Sequence, residues 1–228
     1  MLEKLKTVIE QFYSELSQET PYSTNSLLWS GGQDSTLMMY AICEAANRWC
    51  VDNGKHSKIT IKYYCFKSNR HIGKHKMRRE KLARVKLKAI FEYTFKHVTL
   101  EEVKIDLDSL PTVISYGRNS QAALWALVVL FADSTDSKIN IGAIGSDDNS
   151  DIKTQKDTFY NLAKIIGKDG FCSLNYPLLN FTRKEVTSSL TGLGLIDYTT
   201  WCESQGKKDN CGECLPCRSH VVEDVVLG

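Results

Sequence analysis

Short apolar runs alternate with segments whose apolar residues recur every three or four positions. That alternation is the pattern of a parallel sheet covered by helices. Leu5, Val8, Ile9, Phe12 and Leu16 predict a helix within residues 1–20. A strand is expected at 26–30, followed by a glycine turn and a helix from about Asp34 to residue 52. ITIKYYCF (59–66) reads as the second strand, with a basic helix at about 75–92 and a third strand in HVTLEEVKI (97–105). The loop SLPTVISYGRNS leads into an apolar helix from Gln121 to Ala132. KINIGAI (138–144) is the fourth strand, a helix follows at 156–166, and Phe171 to Leu174 form a short fifth strand. Thr182 is placed to cap a last helix at 183–192. The expected fold is α/β, a parallel sheet with helices on both faces over residues 1–200, plus a small cysteine-bearing tail at 201–228. In such open sheets ligands bind beyond the carboxyl ends of the strands. The loops at 30–35, 67–74 and 145–155 therefore matter most, and all three are polar.

Composition narrows this little. A chain of 228 residues with 42% hydrophobic and 25% charged residues and a net charge of +2 is ordinary globular material. No apolar stretch reaches membrane-spanning length, and MLEKLKTVIEQFYSEL lacks a signal peptide's apolar core. A soluble cytoplasmic protein is expected. Without a secretion signal, the eight cysteines do not read as a disulfide framework. Cys43, Cys50, Cys65 and Cys172 lie in apolar segments and read as core thiols, whereas Cys202, Cys211, Cys214 and Cys217 crowd the end of the chain.

The turn S-G-G-Q-D-S at 30–35 carries the first chemistry. Gly31 and Gly32 let the backbone approach a ligand and turn successive N–H groups into one concavity. The helix starting at about Asp34 adds the partial positive charge of its N-terminus. Ser30 and Ser35 add hydroxyls, and Asp34 can help hold a magnesium ion on phosphates. The lysine-containing P-loop pattern is absent, which argues against a Walker-type NTPase. The alternative is a strand–helix turn with no ligand, but five specified residues recur by chance at roughly one position in a million on average usage. The run resembles the signature of the PP-loop ATP pyrophosphatases, an adenine nucleotide alpha hydrolase-like group. That resemblance implies ATP and Mg2+ as ligands, transfer of AMP to a substrate oxygen, and cofactor contacts from Ser30, Gly31, Gly32, Gln33, Asp34 and Ser35.

Cys202, Cys211, Cys214 and Cys217 form C-x8-C-G-E-C-x2-C within sixteen residues. Closely spaced sulfurs can wrap one metal, and four thiolates with no open position describe a structural Zn2+ site. An iron–sulfur cluster uses similar spacing and stays open as an alternative. A PP-loop domain ending in this tail resembles the 7-cyano-7-deazaguanine synthase family, which makes the nitrile precursor of queuosine and archaeosine. Asn69-Arg70-His71 is similar to the family's (Q/N)-R-H, and Gly117-Arg118-Asn119 to its G-R-N. Gly142, the acidic loop Asp147-Asp148-Asn149-Ser150, and Lys156-Asp157 before Phe159 follow its order, so the resemblance runs from about 26 to 218. SDIKTQK stands where the family has S-G-Y-P-D-C-R, and HIGKHKMRRE shows no clear counterpart of the family glutamate.

The resemblance implies an ATP-dependent ligase that converts 7-carboxy-7-deazaguanine and ammonia to the nitrile. It assigns catalysis to Ser30, Asp34, Ser35 and Arg118, with Gly117 at the cofactor, and it implies a homodimer. Arg70, His71, Asn119, Asp147, Asp148 and Ser150 would contact substrate, the aspartates by accepting from a guanine-like edge. Rival readings are a relative that stops at the amide or joins a deazaguanine to another molecule, a tRNA-thiolating PP-loop enzyme, and an RNA-binding module with a zinc tail. The last draws on residues 67–88, where ten Lys or Arg face one acid, Glu80. A solvated face is the favoured reading, with Leu82, Val85 and Ala89 expected to pack inward, and there is no aromatic interleaving of the kind single-stranded RNA binding uses.

Overall fold

Leu27 and Leu28 are neighbours on one strand, yet they belong to two different hydrophobic cores. Successive side chains of a strand point to opposite faces, so this pair requires a sheet covered on both sides. The computed structural model describes residues 3–18, 24–67, 74–106, 137–145, 152–167, 172–201, 211–214 and 217. Its strands are β1 (Thr24–Leu28), β2 (Ile59–Lys67), β3 (Val98–Asp106), β4 (Ser137–Asn140) and β5 (Cys172–Asn175). All pair in parallel, in the order β3-β2-β1-β4-β5. The chain works outward from β1 to β3, then returns to the other side of β1. The β1/β4 boundary is therefore the switch point at which open α/β sheets hold ligands.

The helices are α1 (Glu3–Gln18), α2 (Gln33–Asp52), α3 (Lys74–Thr94), α4 (Ile152–Ile165) and α5 (Arg183–Gly192). The sheet grows in one direction through α2 and α3 and in the other through α4. Right-handed crossovers accordingly put α4 on the opposite face. The larger core joins Leu27, Trp29, Ile61 and Leu100 of the sheet side to α1, α2, α3 and α5. The smaller one joins Leu28, Tyr64, Ile139 and Leu174 to Phe159 and Ala163 of α4. In α1, Leu5, Val8, Ile9 and Phe12 are buried, as their spacing predicts. Each such side chain contributes about 1.5–3 kcal/mol before chain entropy is counted. Among the described residues three ion pairs tie α1 to its neighbours, Lys4 to Glu185 at 2.8 Å, Arg48 to Glu10 at 2.6 Å and Lys138 to Glu15.

Element boundaries depart from the periodicity where the sheet meets the switch point. The fourth strand ends at Asn140, not at residue 144: Ile141 N still donates to Asn175 O at 2.9 Å, but beyond it the chain bends out of the ladder, with Ala143 N donating to Ile141 O at 3.0 Å. The first strand spans 24–28 rather than 26–30. The helix expected at 156–166 begins a turn earlier, at Ile152. The helix expected at Gln121–Ala132 lies outside the described residues. Thr182 caps α5 as expected, its side chain accepting from Glu185 N while the Glu185 carboxylate accepts from Thr182 N.

The bend after β4 brings Gly142 against the first turn of α2. A Cβ on Gly142 would stand 2.8 Å from Ser35 N and Cα and 3.0 Å from the Asp34 carbonyl carbon. These are backbone atoms of a helix start, so relief requires moving the turn itself. Gly142→Ala is expected to lose about 1–3 kcal/mol in urea unfolding, the usual cost of overpacking. Gly192→Ala, at the end of α5 with nothing within 4 Å, should lose nothing and serves as the control.

Candidate functional site

Between β1 and α2 the chain runs Trp29-Ser30-Gly31-Gly32, and each of three successive carbonyls is held by the protein. Ser30 O accepts from Arg84 Nη1 at 3.1 Å. Gly31 O accepts from Thr200 N at 2.9 Å, within a parallel bridge between Gly32 and Thr200. Gly32 O accepts from Thr36 N at 2.9 Å, which is the first bond of α2, and from Ser35 Oγ at 3.2 Å. In a planar trans peptide the N–H points opposite to the C=O. Fixing the carbonyls of Ser30, Gly31 and Gly32 therefore aims the amides of Gly31, Gly32 and Gln33 to their other sides. With the N-terminal dipole of the 20-residue α2, the amides of Gly31 and Gln33 can form an anion cradle, while the Gly32 amide donates to Ser30 Oγ.

The loop has little room to adopt another shape. Gly31 has φ +85°, and a Cβ there would meet Ala83 Cβ at 3.0 Å and Glu80 O at 3.1 Å on α3. Trp29 sets the angle at which α2 leaves the strand. Its ring sits edge-on to Tyr63 at 4.9 Å and stacks with Phe91 at 6.0 Å, while Nε1 donates to Thr36 Oγ1 at 3.2 Å. The hydroxyls of Ser30 and Ser35 are hydrogen-bonded at 3.2 Å, and Gly32 N donates to Ser30 Oγ at 3.1 Å. Gln33 is 2% exposed, and among the described residues neither its Oε1 nor its Nε2 has a hydrogen-bond partner. A buried amide left this way costs about 1–3 kcal/mol, so it fits a site completed by a polar ligand or water.

Asp34 lies in the first turn of α2, and Arg183 Nη1 donates to its Oδ1 at 2.9 Å and its Oδ2 at 3.1 Å. A magnesium ion fits the chemistry of this carboxylate, but it would share the oxygens with the guanidinium. Arg183 is the first residue of α5, where a cation opposes the helix dipole. That unfavourable position was the available signal that this charge serves something else.

The basic helix behaves differently from its expected pattern. Leu82 and Val85, expected to pack inward with Ala89, are 51% and 59% exposed, and Ala89 is exposed too. The buried side carries Arg79, Ala83, Arg84, Leu87 and Phe91 instead. Both sets fit helical spacing. The true core set was hidden because arginines interrupt it, and one of them, Arg84, reaches the loop rather than solvent. Arg84 Nε also lies 3.7 Å from Glu102 Oε1 on β3. Burial pushes the Glu102 carboxyl up, but Lys104, Cys65 and Arg84 together outweigh it and hold the group below its ordinary range. Burial likewise raises the Glu80 carboxyl, against the pull of Lys76, Arg84 and Arg79, and pushes the Cys65 thiol up to about 11. Cys43, Cys50 and Cys65 are free and buried, as core thiols should be.

In the tail, Cys211, Cys214 and Cys217 bring their sulfurs within 4.8 Å of one another. Cys211 Sγ and Cys217 Sγ are 3.9 Å apart. Tetrahedral thiolates at zinc sit about 3.8 Å from each other, given a bond of about 2.3 Å, so the triad can hold such an ion. Cys211 Sγ also accepts from Glu213 N at 3.4 Å and Cys214 N at 3.2 Å, contacts that favour a charged sulfur. Arg70, His71, Gly117, Arg118, Asn119, Asp147, Asp148, Ser150 and Cys202 lie outside the described residues. Arg84, Arg183 and Thr200 were not singled out in the sequence, because each reaches the loop from more than fifty residues away.

The family model described as Queuosine biosynthesis protein QueC matches residues 25–221, well over half of the chain. No curated protein matches it. Among the described residues no helix is long and apolar enough to cross a membrane.

The sulfur geometry predicts about one tightly held metal ion per chain. Elemental analysis of the purified protein should find it, and Cys214→Ser should lower the stoichiometry well below one. A metal-free wild-type protein would contradict the site.

Proposed function

Because the chain belongs to the QueC family of queuosine biosynthesis proteins, the 7-cyano-7-deazaguanine synthases, we propose that it converts 7-carboxy-7-deazaguanine and ammonia to 7-cyano-7-deazaguanine with consumption of ATP. A queuosine-pathway, ATP-dependent synthase role follows from membership. The observation that carries the finer reading is the loop at 30–35, with its three anchored carbonyls at the sheet's switch point.

The amides of Gly31 and Gln33 and the hydroxyls of Ser30 and Ser35 hold the β- and γ-phosphates of ATP. Asp34 is the residue that would hold the magnesium of MgATP, whose charge would help neutralise the departing pyrophosphate. The substrate carboxylate oxygen attacks the α-phosphorus, the α–β bond breaks, and pyrophosphate leaves. Ammonia then attacks the acyl carbon, AMP departs with that oxygen, and the amide forms after loss of a proton. A second ATP activates the amide oxygen in the same way. Loss of AMP and the remaining N–H protons leaves the nitrile. Positioning and electrostatic stabilisation carry these steps, and no cysteine or serine nucleophile is needed. Arg118 joins the catalytic set, with Gly117 at the nucleotide. Arg70, His71, Asn119, Asp147, Asp148 and Ser150 are the substrate contacts, the aspartates reading the guanine-like edge. In the tail, zinc is the metal, with Cys202 as the fourth thiolate.

One observation favours a shorter reaction as the second reading. In SDIKTQK, residues from Ile152 onward are already helix α4. Gln155 is buried and accepts from Tyr176 Oη at 3.2 Å, and Lys156 lies over the Tyr176 ring at 5.4 Å. Side chains committed to Tyr176 leave the substrate loop differently furnished from the S-G-Y-P-D-C-R run, and on this reading the product is the amide.

Mass spectrometry of the product with 7-carboxy-7-deazaguanine, ammonia and MgATP decides between the two. A nitrile is expected, with two AMP formed per nitrile. An accumulating amide with one AMP supports the shorter reaction. Asp34→Ala should reduce AMP formation by at least a hundredfold while far-UV circular dichroism is unchanged. Normal AMP formation by that variant would remove Asp34 from the mechanism.

A further inference from the structure

On the side of the sheet that packs against α3, the inward row of β3 begins apolar and ends charged. Val98 and Leu100 are buried in the larger core, and the next side chains of that row belong to Glu102 and Lys104. Packing alone would favour another apolar residue at 102, so the carboxylate breaks the local pattern. Glu102 faces Arg84 of α3: Arg84 Nε stands 3.7 Å from Glu102 Oε1, while Arg84 Nη1 donates to Ser30 O at 3.1 Å. A guanidinium is planar and rigid, so the sheet and the phosphate loop meet at one group.

The charge of that group is held loosely. Arg84 is 6% exposed, yet among the described residues Ser30 O is its one hydrogen-bond partner and its Nε has none. At 3.7 Å the Glu102 contact is an ion pair too long for a hydrogen bond. The same Oε1 accepts from Cys65 Sγ at 3.3 Å, and Oε2 lies 3.2 Å from Lys104 Nζ. Glu80, the other carboxylate near Arg84, is paired with Lys76 at 3.9 Å. Both carboxylates are thus shared with a lysine, whereas a buried cation ordinarily needs close, hydrogen-bonded compensation. Arg84 keeps part of its positive charge directly behind the loop.

In the planar peptide between Ser30 and Gly31 the carbonyl takes the guanidinium, and the N–H leaves on the opposite side. A cation on the oxygen polarises the peptide and makes its N–H a stronger donor. We propose that Arg84 and Glu102 are positioning residues of the phosphate site that act without touching the anion: Arg84 strengthens the Gly31 amide through the peptide, and Glu102 sets how much of the charge remains to do so. The proposal rests on the reading of loop 30–35 as the ATP site. The pyrophosphate end of the nucleotide supplies the counter-charge that the protein withholds, which gives a physical reason for a buried guanidinium left short of partners.

Calorimetric titration of the full-length protein with inorganic pyrophosphate, MgATP and AMP tests it. Glu102→Gln keeps the shape of the side chain and removes its charge, so pyrophosphate should bind about threefold tighter or more. Arg84→Met should weaken pyrophosphate and MgATP binding about tenfold or more, with AMP changed far less in both variants. Stability linked to binding gives a second readout: saturating pyrophosphate should raise the melting temperature of Glu102→Gln by more than that of the wild type. A purely structural ion pair predicts no gain in affinity on losing Glu102. Unchanged or weaker pyrophosphate binding by Glu102→Gln therefore overturns the proposal and leaves the ATP site standing, as does wild-type affinity in Arg84→Met. If Glu102→Gln is poorly folded, Arg84→Lys decides. It keeps the charge and should bind pyrophosphate within about threefold of wild type, whereas affinity as low as that of Arg84→Met overturns the proposal. A wild-type protein that binds neither MgATP nor pyrophosphate overturns both.

Discussion

The peptide between Ser30 and Gly31 can face only one way, because a buried guanidinium holds its oxygen. Arg84 Nη1 lies 3.1 Å from Ser30 O, and a hydrogen bond from a charged group is worth about 1.5–3 kcal/mol. Planarity then decides where the Gly31 N–H points. Thr200 N does the same for the next peptide, and the start of α2 for the one after. The loop is thus a row of amides aimed from behind. The glycines are required by what stands behind them: Ala83 and Glu80 press on Gly31, and Gly142 lies against Ser35. Preorganisation of this sort is what electrostatic stabilisation of a leaving pyrophosphate needs, since the dipoles do not have to reorganise as charge develops.

Much of the architecture was legible because a doubly covered parallel sheet writes itself into the chain. Leu27-Leu28-Trp29 and YYCF are apolar on both faces, and α1 carries a regular stripe. The loop itself was legible because two glycines between a strand and a helix have few other uses. Less visible was everything that holds the loop. Arg84 is one of ten Lys or Arg in residues 67–88, and Leu82, Val85 and Ala89 offered an equally regular but wrong inner face. Only the packing of Trp29 on Phe91 reveals which side of that helix turns inward. The end of the fourth strand was misjudged for a related reason. Ile141 and Ile144 look like strand residues, but the chain must bend at Gly142 to pass the helix start.

The tail is joined to the same loop. Thr200 donates to Gly31 O, so the anchor of the second loop carbonyl is the stretch of chain that leads toward the cysteines whose sulfurs could hold a metal ion. Among the described residues the tail has little apolar surface of its own, Cys217 being its one buried side chain.

The central claim is that the loop takes the pyrophosphate end of ATP so that the nucleotide breaks between its α- and β-phosphates. Exchange of labelled pyrophosphate into ATP measures this directly, without ammonia and before any later step. Label should enter ATP when 7-carboxy-7-deazaguanine is present and stay out when it is omitted. Release of ADP and orthophosphate with no exchange would contradict the account, because the bond broken would then be the one between the β- and γ-phosphates.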